Sequence, residues 1–493
     1  MGWMTGHMRG LGPGEDRFAA ALMARESEFE LGAGDLGAVD WETTRCLAAA
    51  TQTDLGYARS VVRLIVGERF RAVAPASGVD VMVVTRWALA ALRRRAWRDF
   101  TLTSALMLGI LLIVLTGYWW PVVPMLACAV AAVAYERWVR DERVLARTML
   151  RGRFRGADSP EPISGRVHAR LAVVEAEQRG DVIVFPGEKA FVGSGRRVIH
   201  DRVLIQAALG KRNKEGSRAI PKSFTNAELH TALEDALRHM GFPELHVGER
   251  LYVNGKHVSA DSRLLPNPLA PPVAVAPAGL LQESCEHPTA DARTYLCAEI
   301  RGWKGQLVVS LFARAVQARG SLQVEWGFQV LPPLKDHFLY IDQRYQIHPC
   351  LQFVKAIGTG VIWCIPELIT SPFNFARYAW SPVRDARRER WQAYAISRGF
   401  VFNYGSLHSI RENAVGNRML HYFLLQDELT FILLAEHTMF RALGNFLEAH
   451  DVDMTQFEAQ EKTFVNNISN YNINEVNGKN FAIGDHTRVT VSK

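Results

Sequence analysis

The segment Gly193-Ser194-Gly195-Arg196-Arg197 has the residue types closest to chemistry in this sequence. Two glycines free backbone amides to face an anion, and two arginines add positive charge, so all five are candidate anion-binding residues. The segment lacks the lysine and Ser/Thr of a nucleotide-binding loop and the helix start of a dinucleotide fold. A glycine turn between strands is the simpler account. Cys285-Glu286-His287 with Cys297 offers zinc-type donors, but at a spacing that matches no common ligand set. Gly405-Ser406-Leu407-His408 lacks the second glycine of a nucleophile elbow, and no His-Glu-x-x-His motif occurs. The sequence therefore predicts no catalytic residue, no metal and no cofactor.

Whatever these residues do, they must be positioned by elements that sit at a membrane. Residues 100–135 contain no charged side chain, a run of 36. One straight helix of that length would be about 54 Å long, against a hydrocarbon core of about 30 Å. Two helices fit instead. The break lies at Gly117-Tyr118-Trp119-Trp120-Pro121, where glycine ends a helix, proline starts one, and Tyr118, Trp119 and Trp120 suit the headgroup layer. Arg93, Arg94, Arg95 and Arg98 precede the run; Arg137 and Arg140 follow it. Arginines on both flanks place both on the cytoplasmic side, so the expected partner is a lipid bilayer crossed by two spans, with anionic headgroups beside the arginines.

The bulk numbers agree. The chain of 493 residues is 48% hydrophobic and 22% charged, with a mean hydropathy of −0.03. That excludes a polytopic transporter and a mostly disordered chain. The net charge of +7 is accounted for by the arginines at the spans, and nucleic acid is not an expected partner, because no helix-turn-helix, finger or stacking-aromatic motif is present. The six cysteines are scattered, as free thiols in a reducing compartment are. Residues 1–8 do not start a signal peptide, so residues 1–99 are expected in the cytoplasm.

The fold class expected is multidomain. Residues 1–99 are a helical cytoplasmic region, including a helix over 15–31, and 100–135 are the transmembrane α-hairpin. A basic linker, 136–165, leads to an α+β domain over 166–345 with an antiparallel sheet. In that domain Thr225 opens a capping box. Asn254-Gly255 is a hairpin signal, and strands over 294–300, 306–316 and 322–331 form a meander. Residues 346–460 are mostly helical. Within them, 351–373 are apolar, but Lys355 and Glu367 bound their uncharged core. That core is too short to span, so the stretch lies on the bilayer or packs in the domain. Residues 461–493 form a short β-type, Asn-rich tail that is a candidate for pairing with copies of itself in a homo-oligomer.

Several segments resemble a family of uncharacterised actinobacterial, streptomycete-type membrane proteins. They are residues 42–50 (ETTRCLAAA), Arg71-Ala72-Val73-Ala74-Pro75 with Gly78-Val79-Asp80, Pro186-Gly187 with residues 191–195, and Asn466-Asn467 leading to Ala482-Ile483-Gly484. The resemblance implies a two-helix hairpin between cytoplasmic domains and brings no activity. The function expected is a non-enzymatic scaffold or interaction protein at the inner (plasma) membrane, with both termini cytoplasmic. The alternative is a membrane-associated enzyme acting on an anionic, phosphorylated or lipid substrate, with Arg196 and Arg197 as anion contacts.

Overall fold

The computed structural model describes residues 39–212, 217–242, 244–339, 341, 349–416, 422–455 and 457. The helix expected over 15–31 and the Asn-rich tail lie outside them.

The N-terminal region is helical because short polar residues stop and restart it. Asp40 accepts from the backbone N–H of Glu42 and Thr43 and opens α1 (Trp41–Thr53). Asp54 accepts from Tyr57 N–H and opens α2 (Leu55–Ile65). Asp80 does the same for α3 (Val81–Thr116), satisfying donors that a helix start would otherwise leave unpaired. Leu47, Val61, Ile65, Val84 and Ala88 share one core among these helices. α3 then leaves that core. It runs 36 residues without interruption, about 54 Å, and its far half exposes Met107, Leu108, Ile110, Leu111, Val114 and Leu115. Gly117, left-handed at φ 71°, donates to Ile113 O and ends it. The chain turns through exposed Tyr118, Trp119 and Trp120 and returns as α4 (Val122–Trp138). α5 (Gly165–Gln178) follows.

Next comes a six-stranded sheet of order β1-β3-β4-β5-β6-β2. Its strands are β1 (Val182–Phe185), β2 (Arg196–Ile205), β3 (Leu245–Asn254), β4 (Ala292–Gly302), β5 (Leu307–Ala318) and β6 (Ser321–Leu331). The meander β4-β5-β6 is antiparallel, as its turns predict. The sheet as a whole is mixed, not antiparallel, because β1 pairs parallel with β3. One face of the sheet packs on α6 (Asn226–Arg238), which Thr225 opens with a full capping box, and on α12 (Tyr422–Ala449). Leu229, Leu233, Met439 and Leu443 meet Leu311, Trp326 and Phe328 there. Between these elements lie α7 (Leu280–Glu286), α8 (Asp336–Leu339), α9 (Pro349–Ala379), α10 (Ser381–Ser397) and α11 (Ile410–Asn413).

Two local expectations change. Asn254-Gly255 does not make a hairpin: β3 ends at Asn254 and the chain enters a short 3-10 turn, Val258–Ala260. Gly255 donates to Phe185 O, and a Cβ there would collide with the backbone of Gly405. That glycine serves a close approach of two backbones, not a tight turn. Residues 351–373 belong to one long helix, α9, that runs through Lys355, Glu367, Pro366 and Pro372. By length and composition, three helical stretches among the described residues are able to cross a membrane, Val81–Thr116, Val122–Leu145 and Cys350–Ser397, where charge counting gives two. Charge counting takes only the stretch between Lys355 and Glu367 as uncharged, whereas α9 runs on past both charges, and Glu367 pairs with Arg98.

Candidate functional site

The apolar hairpin of α3 and α4 meets the rest of the described structure in a layer of paired charge. Arg94 Nε lies 3.3 Å from Glu136 Oε1 on the returning helix, and its NH2 donates to Gln52 Oε1 of α1 at 3.0 Å. Arg98, 8% exposed, donates to Asp99 Oδ1 at 2.6 Å and lies 2.9 Å from Glu367 Oε2 of α9. Charges this sheltered are costly unless paired and hydrogen-bonded, and each has a partner here. Just beyond, Thr103 Oγ1 is 3.3 Å from Ser371 Oγ. The Phe100 and Phe375 rings are 5.4 Å apart. Gly360 of α9 presses on α4, so that a Cβ there would lie 3.0 Å from Val130 O and 3.2 Å from Ala134 Cβ.

The interface residues expected from sequence therefore divide. Arg93 is exposed, Arg95, Arg137 and Arg140 are half-buried, and Arg140 pairs with Asp141 at 2.7 Å. Arg94 and Arg98 turn inward and tie helices together. Tyr118, Trp119 and Trp120 stand at the far tip of the hairpin, about 50–75% exposed. Sequence reasoning misses the counterions Asp99, Glu136 and Glu367. The first two border the apolar run directly, and an acid beside an arginine cluster is a signal available for both.

The glycine loop lies between β1 and β2. Gly193 and Gly195 both adopt φ 89°, the conformation only glycine takes without strain. The amide that an anion would use is already taken: Gly193 N–H donates to Glu412 Oε2 at 3.2 Å, and the Lys189 ammonium holds the other carboxylate oxygen. Arg196 NH2 lies 3.0 Å from buried Glu428, Ser194 is buried, and Arg197 is exposed. The chain supplies its own anion at this loop, and the five residues do not converge on open space.

Cys285 and Cys297 do not meet. Cys297 is buried beside Tyr252 on the other sheet face, 3.7 Å from its hydroxyl. Cys285 instead joins His230 and Glu249, whose donor atoms lie within 4.8 Å of one another. His230 Nδ1 is 2.7 Å from Glu249 Oε1, and Nε2 accepts from Ala315 N–H at 3.3 Å. A metal at Nδ1 would move the imidazole proton to Nε2, facing a backbone donor, so this trio fits a satisfied core histidine and not a metal site. Burial pushes the Cys285 thiol up to about 12, which makes it inert as a nucleophile at neutral pH. Ser406 donates to Val184 O at 3.1 Å and is fully enclosed.

Charged groups buried on the other sheet face are paired as well. Glu299 accepts from Arg301 NH2 at 3.0 Å and Ser77 Oγ at 3.2 Å. Burial alone would raise its carboxyl, but Arg301 and Arg250 more than offset this and hold it below the usual range. The cleft beside Arg250 and Glu177 measures about 30 Å³, room for about one water.

One family's model, described as an AbeC-like domain, matches residues 202–483. The match takes in most of the sheet, α9, α10 and α12, and leaves the hairpin outside. Among curated proteins and among solved structures, nothing matches.

Proposed function

The chain belongs to the AbeC-like domain family, and on that premise we propose that it is an integral membrane scaffold. The α3–α4 hairpin anchors the AbeC-like domain and the helical N-terminal region to the cytoplasmic face of the plasma membrane. The observation that carries this reading is the far half of the hairpin. Val114 and Leu115 are 75% and 71% exposed, and no described part of the body covers them. In water each such side chain forgoes about 1.5–3 kcal/mol of burial, whereas lipid tails receive it. The paired arginines mark where the apolar stretch ends, and arginine on both flanks supports a cytoplasmic body and the two-helix topology that the actinobacterial resemblance implies.

A non-enzymatic role is supported by the satisfaction of each candidate group: Glu412 occupies the glycine loop, His230 is bonded at both nitrogens, and Cys285 is held as a thiol. Anionic headgroups remain the partner for exposed Arg93 and its neighbours. Alkaline carbonate extraction of membranes from cells producing the whole chain tests the anchor. The protein is expected in the pellet and released by detergent alone; recovery in the carbonate supernatant overturns the reading.

A further inference from the structure

α9 matches a third crossing by length and composition, but its contacts put it elsewhere. A crossing helix as long as α9 would bring its middle level with the middle of the hairpin, near Leu108. Glu367, close to the midpoint of α9, is paired instead with Arg98, before the first apolar residue of the hairpin run. Ser371 meets Thr103 and Phe375 meets Phe100, both at the entry of α3. Gly360 meets Val130 and Ala134 at the exit of α4. From Gly360 to Phe375 the helix covers about 22 Å, and Cys364 and Leu368 between them pack on Leu102, Ala129 and Val133, so it follows the half of the hairpin that α3 enters and α4 leaves and does not run on to the Tyr118–Trp120 tip.

Both ends of α9 also return to the same body. Ile341, shortly before it, is buried with Ala48, Trp87 and Met149. After it, α10 brings Arg388 to Glu68 at 3.4 Å and buries Ile396 with Phe70 and Tyr404. One stripe of α9 faces inward at the spacing of successive helical turns: Gln352, Ala356, Gly360, Cys364 and Leu368. The opposite face exposes Phe353, Val361, Ile362, Ile365, Ile369 and Phe373. Arg384, Arg387 and Arg390 are exposed on α10 immediately beyond.

We propose that α9 does not cross the membrane but lies in the plane of the cytoplasmic leaflet, its outer apolar face in the acyl layer and the α10 arginines against anionic headgroups. The proposal rests on the hairpin anchor and extends it, since the leaflet that α3 enters is continuous with this face. A helix with one apolar face and basic residues beside it is suited to that depth. It would fix the tilt of the family domain on the bilayer, which a two-helix tether alone leaves free.

The test is one-sided labelling of the whole chain in right-side-out and inverted vesicles with a membrane-impermeant maleimide. Cys128→Ser is the background, so that Cys350 is the only exposed native thiol among the described residues. S397C and W119C are added one at a time. Cys350 and S397C are expected to label from one side and W119C from the other. Labelling of Cys350 and S397C from opposite sides overturns the in-plane helix while leaving the anchor intact. Labelling of W119C from the same side as Cys350 overturns the anchor and this proposal together. A nitroxide on I362C gives the depth: greater collision with oxygen than with a water-soluble nickel chelate is expected. Shielding from both, as under a second copy of the chain, overturns lipid as the occupant.

Discussion

Arg98 NH2 sits 2.9 Å from Glu367 Oε2, joining the last charged turn before the apolar run of α3 to the middle of a helix in the C-terminal half of the chain. Arg98 also holds Asp99 at 2.6 Å, so one guanidinium balances two carboxylates in a sheltered layer. Arg98→Ala would remove the one cation that pairs directly with both acids. It should cost about 3 kcal/mol, read as a fall in the thermal midpoint of the detergent-solubilised protein. Glu367→Ala leaves the Arg98–Asp99 pair in place and should cost less, about 1–2 kcal/mol. Equal effects, or none, would contradict the arrangement.

Gly360 and Gly109 test how tightly the helices are joined. A Cβ at Gly109 would meet the Met125 side chain, 2.7 Å from its sulfur, and a methionine moves aside. At Gly360 the obstacle is the Val130 carbonyl at 3.0 Å, which is fixed in α4. Gly109→Ala should therefore change stability by no more than about 0.5 kcal/mol, while Gly360→Leu should lose about 2–3 kcal/mol by overpacking. The same melting assay compares them.

The loop occupied by Glu412 gives a ligand test. Phosphate at millimolar concentration should leave the melting midpoint of the wild type unchanged, because the Gly193 amide is already engaged. Gly193→Ala meets both a φ of 89° and the Pro75 carbonyl oxygen, and should destabilise by about 2–4 kcal/mol. A midpoint raised by phosphate in the wild type would show that the loop opens to anions after all.

Glu436 on α12 sets a pH dependence. Burial pushes its carboxyl up to about 7, with Trp326 pulling it down and Asp201 adding to the rise. Folded protein therefore binds a proton that unfolded chain has released between about pH 4.5 and 7. Stability falls as pH rises through that window, by on the order of 3 kcal/mol. Glu436→Gln keeps an oxygen for Trp326 Nε1, 3.1 Å away in the wild type, and removes the titration. Its denaturation midpoint at pH 8 should exceed that of the wild type, and the gap should close by about pH 4.5.

Features carried by adjacent residues are legible in the sequence. The capping box at Thr225, the turn glycines of the β4-β5-β6 meander and the helix stop at Gly117 each follow from local backbone chemistry. Features that depend on distant partners are not. β1 is a short strand that pairs parallel with β3 across the whole of β2 and α6, and no turn signal announces a parallel pair. A charge in an apolar stretch counts against a helix in lipid, so sequence reasoning reads residues 351–373 as too short to span but cannot name Arg98 as the partner of Glu367. The same omission assigns Arg94 and Arg98 to headgroups. The glycine loop is recognisable as a place where amides are free, but its occupant, Glu412, comes from α11, far along the chain.

If a doubled-back apolar hairpin holds the body on one side of a bilayer, protease protection shows it most directly. The whole chain, with an epitope at each end, is placed in sealed inverted vesicles. Both epitopes should be digested without detergent, leaving a protected fragment that contains residues 100–135. Protection of one epitope, or of neither together with loss of that fragment, would contradict the account.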